Sequence, residues 1–97
     1  MNIAQSSAEF VGGMQTIEQA IIAAVRARGR HLTAGYFRWN RGQPFIPPPE
    51  AIPLEIRFQG ATANAVLSRE QVEDGHERIS RVDVLTMIED VTNALCR

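Results

Sequence analysis

The chain has 97 residues, too few for more than one ordinary domain, and its apolar content of 44% and charged content of 22% are typical of a globular protein. A net charge of −1 excludes a strong overall field for nucleic acid or an anionic membrane, and it excludes the composition of a disordered chain. Because Cys96 is the only cysteine, no intrachain disulfide can form, and the fold does not depend on an oxidising compartment.

The first residues, MNIAQSSAEF, show no basic region followed by an apolar stretch, so we expect no signal peptide. The longest apolar run, AIIAAV at positions 20–25, is far shorter than the ~20 residues that a membrane span requires. We therefore expect a cytoplasmic protein without a membrane partner.

Charge is divided unevenly between the two halves of the chain, and every cation is an arginine. Residues 1–49 have a balance of +3, whereas residues 50–97 have a balance of −4. The use of arginine alone is typical of codon usage in a GC-rich bacterial genome, and selection for planar, bidentate contacts is the functional alternative. The opposite charges of the two halves favour pairing within one chain or between two chains.

The first half of the sequence predicts a flexible arm over residues 1–15, followed by a helix from Thr16 to Arg28. Thr16 and Gln19 match a capping box, an apolar stripe recurs at helical spacing, and Gly29 is a natural stop. The segment 31–39 then predicts a strand with imperfect alternation, in which we interpret Gly35 as a bulge.

The second half predicts two further strands and two helices. The proline-rich segment QPFIPPPE at 43–50 is expected to be a stiff connector to a strand over 52–58, in which apolar and polar residues alternate strictly. Pro53 indicates the start of this strand or a sheet edge. A hairpin partner follows over 62–67, and Ser68 and Ser80 each match the N-cap of a helix.

These elements predict an α+β fold, in which a small antiparallel sheet of about three strands carries an N-terminal and a C-terminal helix on one face. The single domain is predicted to comprise residues 16–97.

The sequence offers little for catalysis. The cluster EDGHE at 73–77 lacks the ligand spacing of a zinc site, the helix-capping serines lie in no nucleophile motif, and Gly12-Gly13 lacks the rest of a phosphate loop. We therefore expect no catalytic residues, no metal, no cofactor and no enzymatic activity.

The sharpest candidate for a binding site is the segment 26–45, RARGRHLTAGYFRWNRGQPF, which interleaves cations with aromatic side chains. Phosphates contact cations, and the bases of single-stranded nucleic acid stack on aromatic rings. The candidate contact residues, for nucleic acid or for a protein partner, are Arg26, Arg28, Arg30, Arg38, Trp39 and Arg41. The sequence leaves open whether Tyr36, Phe37 and Trp39 face the core or a binding surface.

Two functions from different classes remain. The leading interpretation is a non-catalytic protein-interaction or homo-oligomerising module, whose partner is a second copy in a homodimer or another protein. The alternative is a nucleic-acid-binding accessory protein, which an isoelectric point near 6.1 disfavours.

Overall fold

The computed structural model describes residues 3–43 and 49–97, and most of the predicted proline-rich connector lies outside them. The described residues form three helices and one antiparallel sheet with strand order β1-β2-β3, which confirms the predicted α+β fold. The elements, in chain order, are α1 (Ile3–Arg26), β1 (Phe37–Trp39), β2 (Ala51–Phe58), β3 (Ala61–Ser68), α2 (Arg69–Asp74) and α3 (Val82–Leu95). Two short 3-10 turns, Ala34–Tyr36 and Asn40–Gly42, flank β1.

Strands β2 and β3 form the hairpin that the sequence predicts. Gln59 and Gly60 both have positive φ, 51° and 80°, as a two-residue turn between twisted strands requires. Phe58 pairs with Ala61 next to this turn, and the register continues to Ala51 opposite Ser68. The turn therefore fixes the direction of every backbone and side-chain group along both strands.

The core lies on one face of the sheet, where α1 and α3 cover it. Alternation along β2 buries every second side chain, as predicted. The side chains of this core include Phe10, Met14, Ile17, Ile21 and Val25 of α1, Trp39 of β1, Ile52, Leu54, Ile56 and Phe58 of β2, Ala63 and Leu67 of β3, and Val84, Ile88, Val91 and Leu95 of α3. One continuous apolar interior thus holds both helices against the sheet.

Helix α1 begins at Ile3, so the predicted helix start at Thr16 is wrong, and the segment interpreted as a flexible arm is helical from Ile3. Thr16 does not cap the helix; its hydroxyl donates to the Gly12 carbonyl one turn earlier, at 2.9 Å. Only glycine fits at position 13, because a Cβ there would lie 1.7 Å from the carbonyl oxygen of Val72 in α2. The glycine pair therefore marks a close helix crossing rather than a linker.

Strand β1 is shorter than the predicted strand over 31–39. Ala34–Tyr36 form a 3-10 turn, so Gly35 belongs to a turn and is not a bulge. Pairing with β2 covers three positions and ends where Trp39 faces Leu54. The next position of β2 whose backbone faces β1 is Pro53, which has no N–H to donate, so the ladder ends there. This explains how a central strand accommodates Pro53, which the sequence had placed at a strand start or a sheet edge.

The two carboxy-terminal helices begin in different ways. Helix α2 has the predicted capping box, in which the Ser68 hydroxyl accepts from the Gln71 N–H at 3.1 Å and the Gln71 side chain accepts from the Ser68 N–H at 2.7 Å. The predicted N-cap at Ser80 is wrong, because Arg81 occupies the N-cap of α3 without a side-chain cap. Asp83 instead accepts the Val84 N–H at 2.8 Å in the first turn.

Candidate functional site: the open sheet face and the edge of strand β3

The face of the sheet opposite the helices is open to solvent in the described part of the chain. Because alternate residues of β2 enter the core, their neighbours point the other way. The side chains on this open face include those of Arg38, Pro53, Glu55, Arg57, Thr62, Asn64 and Val66. Val66 is 70% exposed, which is unusual for a valine in a strand. The open face combines two cations, one carboxylate, and amide and hydroxyl groups with the apolar side chains of Pro53 and Val66.

A groove of about 340 Å³ crosses this face, and we call it the sheet groove. Its walls are formed by Arg38, Arg41, Pro53, Glu55, Asn64 and Val66, with Leu54 and Ala65 contributing to the lining. Arg38 donates to the Arg41 carbonyl at 2.9 Å, which fixes its guanidinium beside the turn. Glu55 contacts the Arg57 guanidinium at 3.3 Å. The groove therefore carries two arginines, while its carboxylate is engaged by a third.

The turn after β1 has a strained backbone. Asn40, Arg41 and Gly42 have φ values of 52°, 56° and 78°, all in the left-handed region. Left-handed geometry costs an L residue roughly 1–2 kcal/mol, and asparagine and glycine tolerate it better than arginine does. The Gln43 N–H donates to the Asn40 carbonyl at 2.9 Å and closes the turn. Strain of this kind persists where the surrounding structure holds it, and it concentrates at functional sites.

The second feature of the site is the β3 edge, the side of β3 that faces away from β2. β3 is an edge strand, and its sequence, ATANAVLS, contains no charged residue and no proline over eight positions. Natural proteins commonly protect such an edge with charges, prolines or bulges. A groove of about 280 Å³, the edge groove, lies beside this strand and is lined by Ala63, Ala65, Val66, Met87, Asp90 and Ala94, among others. The two grooves share Asn64, Ala65 and Val66 and thus form one continuous surface.

The six arginine and tryptophan positions predicted from the sequence do not form one patch. Arg26 and Arg28 lie at the end of α1, and Arg28 lines a depression with Leu85 in the helical layer. Arg30 donates to the Gln59 side chain at 3.0 Å, at the hairpin turn. Of these cations, only Arg38 and Arg41 meet in the sheet groove.

Trp39 points into the core, with 7% of its surface exposed, and cannot stack on a nucleobase. Its indole N–H donates to a Glu18 carboxylate oxygen of α1 at 2.6 Å. Burial raises the pKa of Glu18, and the Trp39 hydrogen bond partly opposes this rise. Phe37 packs against the core, whereas Tyr36 is exposed and meets the Phe58 ring in a T-shaped contact, with 5.0 Å between ring centroids.

Three acidic residues of the second half, Glu70, Asp74 and Asp83, surround the Arg81 guanidinium. Arg81 lies 2.9 Å from Asp74 and 3.0 Å from Asp83, and Gln71 donates to the same Asp83 carboxylate at 3.0 Å. The hydrogen bond from Arg81, supported by the bond from Gln71, lowers the pKa of Asp83 to about 2. This ion cluster joins the end of α2 to the start of α3.

Within residues 3–43 and 49–97, no group of three or more histidine, cysteine or acidic side chains is placed to hold a metal ion. His76 lies beside Glu77, at 3.7 Å, and its Nδ1 is 2.8 Å from the Glu73 carbonyl. No helix in these ranges is long and apolar enough to cross a bilayer.

No family model, no curated protein and no solved structure matches the chain. The site therefore has to be interpreted from its own geometry. The sequence interpretation missed the β3 edge, although its signal was present, because ATANAVLS lacks every residue that commonly protects an edge strand. Leu85 of α3 is 49% exposed.

Proposed function

We propose that this protein is a non-catalytic association module that acts through the β3 edge, and that the partner at this edge is a second copy of the chain. The observation that carries the proposal is an eight-residue edge strand without charge or proline. The groove beside it is lined by alanine, valine and methionine side chains together with Asn64 and Asp90. An exposed strand of this kind pairs readily with another strand, because its outward N–H and C=O groups need partners. The cytoplasm is the proposed compartment, since no disulfide supports the fold.

The hairpin turn determines which groups the β3 edge presents. Phe58 and Ala61 flank the turn as a hydrogen-bonded pair, so the hydrogen-bonded positions of β3 alternate from there. Thr62, Asn64 and Val66 consequently direct their backbone N–H and C=O groups away from β2. An antiparallel copy centred on Asn64 would place the two Asn64 amides opposite each other and the β-branched Val66 opposite Thr62, a type of residue that favours strands. Six strands would then form one continuous sheet.

Charge at the two ends of β3 favours an antiparallel copy. The hairpin end carries Arg30 beside Gln59, whereas the other end leads into α2, which has three carboxylates against the single cation Arg69. Two of these carboxylates, Glu70 and Asp74, also contact Arg81. A twofold axis through the middle of the strand brings the basic end of one copy towards the acidic end of the other, twice per dimer. Such pairing sets the register more than it adds affinity.

The nucleic-acid alternative receives less support from the same geometry. Its arginines are spread over the helical layer, the hairpin turn and the sheet groove, and Trp39 is buried. Two cations in one groove provide few phosphate contacts, and binding to nucleic acid depends on the number of such contacts.

Light scattering coupled to size exclusion, over a hundredfold range of micromolar concentration, tests the association. We expect a mass approaching twice the 10.8 kDa of one chain at the upper concentrations. Val66→Lys places a charge on the edge and is expected to hold the chain at the single-chain mass. Asn64→Pro blocks the same edge, and it removes an N–H that faces away from β2, so the hairpin ladder is retained.

Val82→Lys is the matched control, because Val82 is 77% exposed at the start of α3, away from the β3 edge. It should behave like the unmodified chain. A single-chain mass at every concentration would remove the second copy as the partner, and dimers that survive both edge variants would place the interface elsewhere.

A further inference from the structure

We infer that the sheet groove docks a carboxylate side chain from an extended acidic segment of a partner protein, with Arg38 and Arg41 as its cation pair. This inference goes beyond association at the β3 edge, because it concerns the arginine pair on the β1 side of the sheet groove, whereas the β3 side of that groove shares Asn64 and Val66 with the edge.

Within the described ranges, Arg38 and Arg41 have no carboxylate at ion-pair distance, whereas Arg57, Arg69 and Arg81 each have at least one. The carboxylate nearest to Arg38 in the strand register is Glu55, and Glu55 contacts Arg57 instead. The sheet groove therefore holds an excess of positive charge in a protein whose net charge is −1. Two guanidinium groups in one concave site attract an anion more strongly than scattered surface cations do.

The backbone of the turn supports a role for this pair of arginines. Three successive residues with positive φ include Arg41 itself, although a β-turn of ordinary geometry would avoid that strain. The turn directs the Arg41 carbonyl towards the Arg38 guanidinium, which donates to it at 2.9 Å. This hydrogen bond orients the Arg38 side chain. A pre-oriented guanidinium loses less conformational freedom when a ligand binds.

The rest of the groove specifies the kind of anion. Guanidinium groups bind carboxylates through paired N–H donors, and Asn64 adds an uncharged amide on the opposite wall. Pro53 and Val66 provide apolar surface for the aliphatic part of a glutamate side chain. The described open face has no aromatic side chain on which a nucleobase could stack, which favours an acidic peptide over single-stranded nucleic acid.

The test is an NMR titration of the ¹⁵N-labelled full chain, at low ionic strength, with a capped peptide of six glutamates. A capped peptide of six glutamines, inorganic phosphate and an oligothymidylate of six nucleotides are the comparison probes. We expect the glutamate peptide to shift the amide signals of Arg38 and Arg41, and the glutamine peptide to leave them unchanged. Affinity should fall steeply with added salt.

The double variant Arg38→Ala/Arg41→Ala is expected to lose at least tenfold in affinity for the glutamate peptide. Arg28→Ala is the matched control, because it removes the same type of charge from the helical layer and should change the affinity less than twofold. The amide spectrum of each variant reports independently whether the fold is retained.

Four results would overturn the inference: no shifts with the glutamate peptide at low salt, equal losses in the double variant and in Arg28→Ala, tighter binding of the oligothymidylate, or equal binding of inorganic phosphate. Tighter oligothymidylate binding would assign the groove to nucleic acid, and equal phosphate binding would assign it to small anions. The amide signals of Arg38 and Arg41 report binding in the groove whether the chain is a monomer or a dimer, because neither residue lies on β3. Failure of edge association and failure of the groove are therefore separate outcomes.

Discussion

Gly13 decides how closely α1 and α2 approach. A methyl group at this position would overlap the Val72 carbonyl, whereas one at Gly12 would meet His76 Cβ at an ordinary 3.4 Å. We expect Gly13→Ala to lower the free energy of unfolding by at least about 3 kcal/mol, the upper end of typical overpacking costs, because the obstructing atom is backbone. Gly12→Ala should change it by no more than about 1 kcal/mol, and in the stabilising direction, since alanine favours a helix.

Urea unfolding followed by the fluorescence of Trp39, the only tryptophan, measures both variants. Equal midpoints for Gly12→Ala and Gly13→Ala would contradict the close crossing at Gly13.

Glu18 is a half-buried carboxylate, and its negative charge is less favourable in the folded chain than in the unfolded chain. Because its pKa in the folded chain is raised above 4.5, the folded state binds the proton more tightly than the unfolded state does. Its contribution to stability is therefore complete at low pH and is lost as the pH rises through the raised pKa. We expect Glu18→Gln, which retains an oxygen to accept from Trp39, to be at least as stable as the unmodified chain at pH 7, with the difference shrinking towards pH 4.

Glu18→Ala is the matched comparison, because it leaves the buried indole N–H without this acceptor, at a cost of about 1–3 kcal/mol. Thermal unfolding across this pH range measures all three proteins. A Glu18→Gln variant that is as unstable at pH 7 as Glu18→Ala would show that the negative charge itself is required.

At the scale of elements, the ion cluster around Arg81 replaces the missing side-chain cap of α3 and joins two helices. The pKa of Asp83 is lowered from 3.8 to about 2, so its contribution to stability is present above pH 3.8 and is lost as the pH falls towards 2. We expect Asp83→Asn to lower the midpoint of thermal unfolding at pH 7, and this deficit to shrink between pH 4 and pH 2. A deficit that is the same at pH 2 and pH 7 would assign the effect to the cap of Val84 instead of the charge.

Elements with strong local signals were predictable, and those set by tertiary contacts were not. The alternation over 52–58 and the capping box at Ser68 determine their elements locally, so β2 and α2 match the predictions closely. The start of α1 was missed because Gly12-Gly13 usually weakens a helix, and only the crossing with α2 explains it. The strand over 31–39 was overestimated because aromatic content indicates a strand but does not show where pairing with β2 ends.

The candidate site was predictable only in part, for the same physical reason. Arg38 and Arg41 were identified as candidates from the sequence, and the structure places both in the sheet groove. Their separation from Arg28 and Arg30 depends on how the helix and the hairpin turn are arranged in space, which local patterns do not encode. The β3 edge likewise depends on strand order, since the same sequence at the centre of a sheet would present no edge.

At the scale of the whole molecule, stability and association are linked. A chain of this length buries roughly 60–65% of its unfolded surface, so its margin of stability is small and added interface matters. If two folded copies pair, a tenfold rise in concentration above the dissociation constant is worth about 1.4 kcal/mol per dimer, or about 0.7 kcal/mol per chain. For a domain of this size, we expect the unfolding midpoint to rise by about 3–6 °C for each such step.

Val66→Lys removes the edge contact without touching the core, so its unfolding midpoint should not depend on concentration. Val82→Lys should retain the dependence of the unmodified chain, because Val82 lies away from the β3 edge. Calorimetry on the three proteins at matched concentrations measures the effect. A midpoint that is constant for the unmodified chain would contradict a folded dimer, and a concentration-dependent midpoint in Val66→Lys would contradict the β3 edge as its interface. Because folding and association are linked, the concentration dependence of the unfolding midpoint reports whether the β3 edge is the interface.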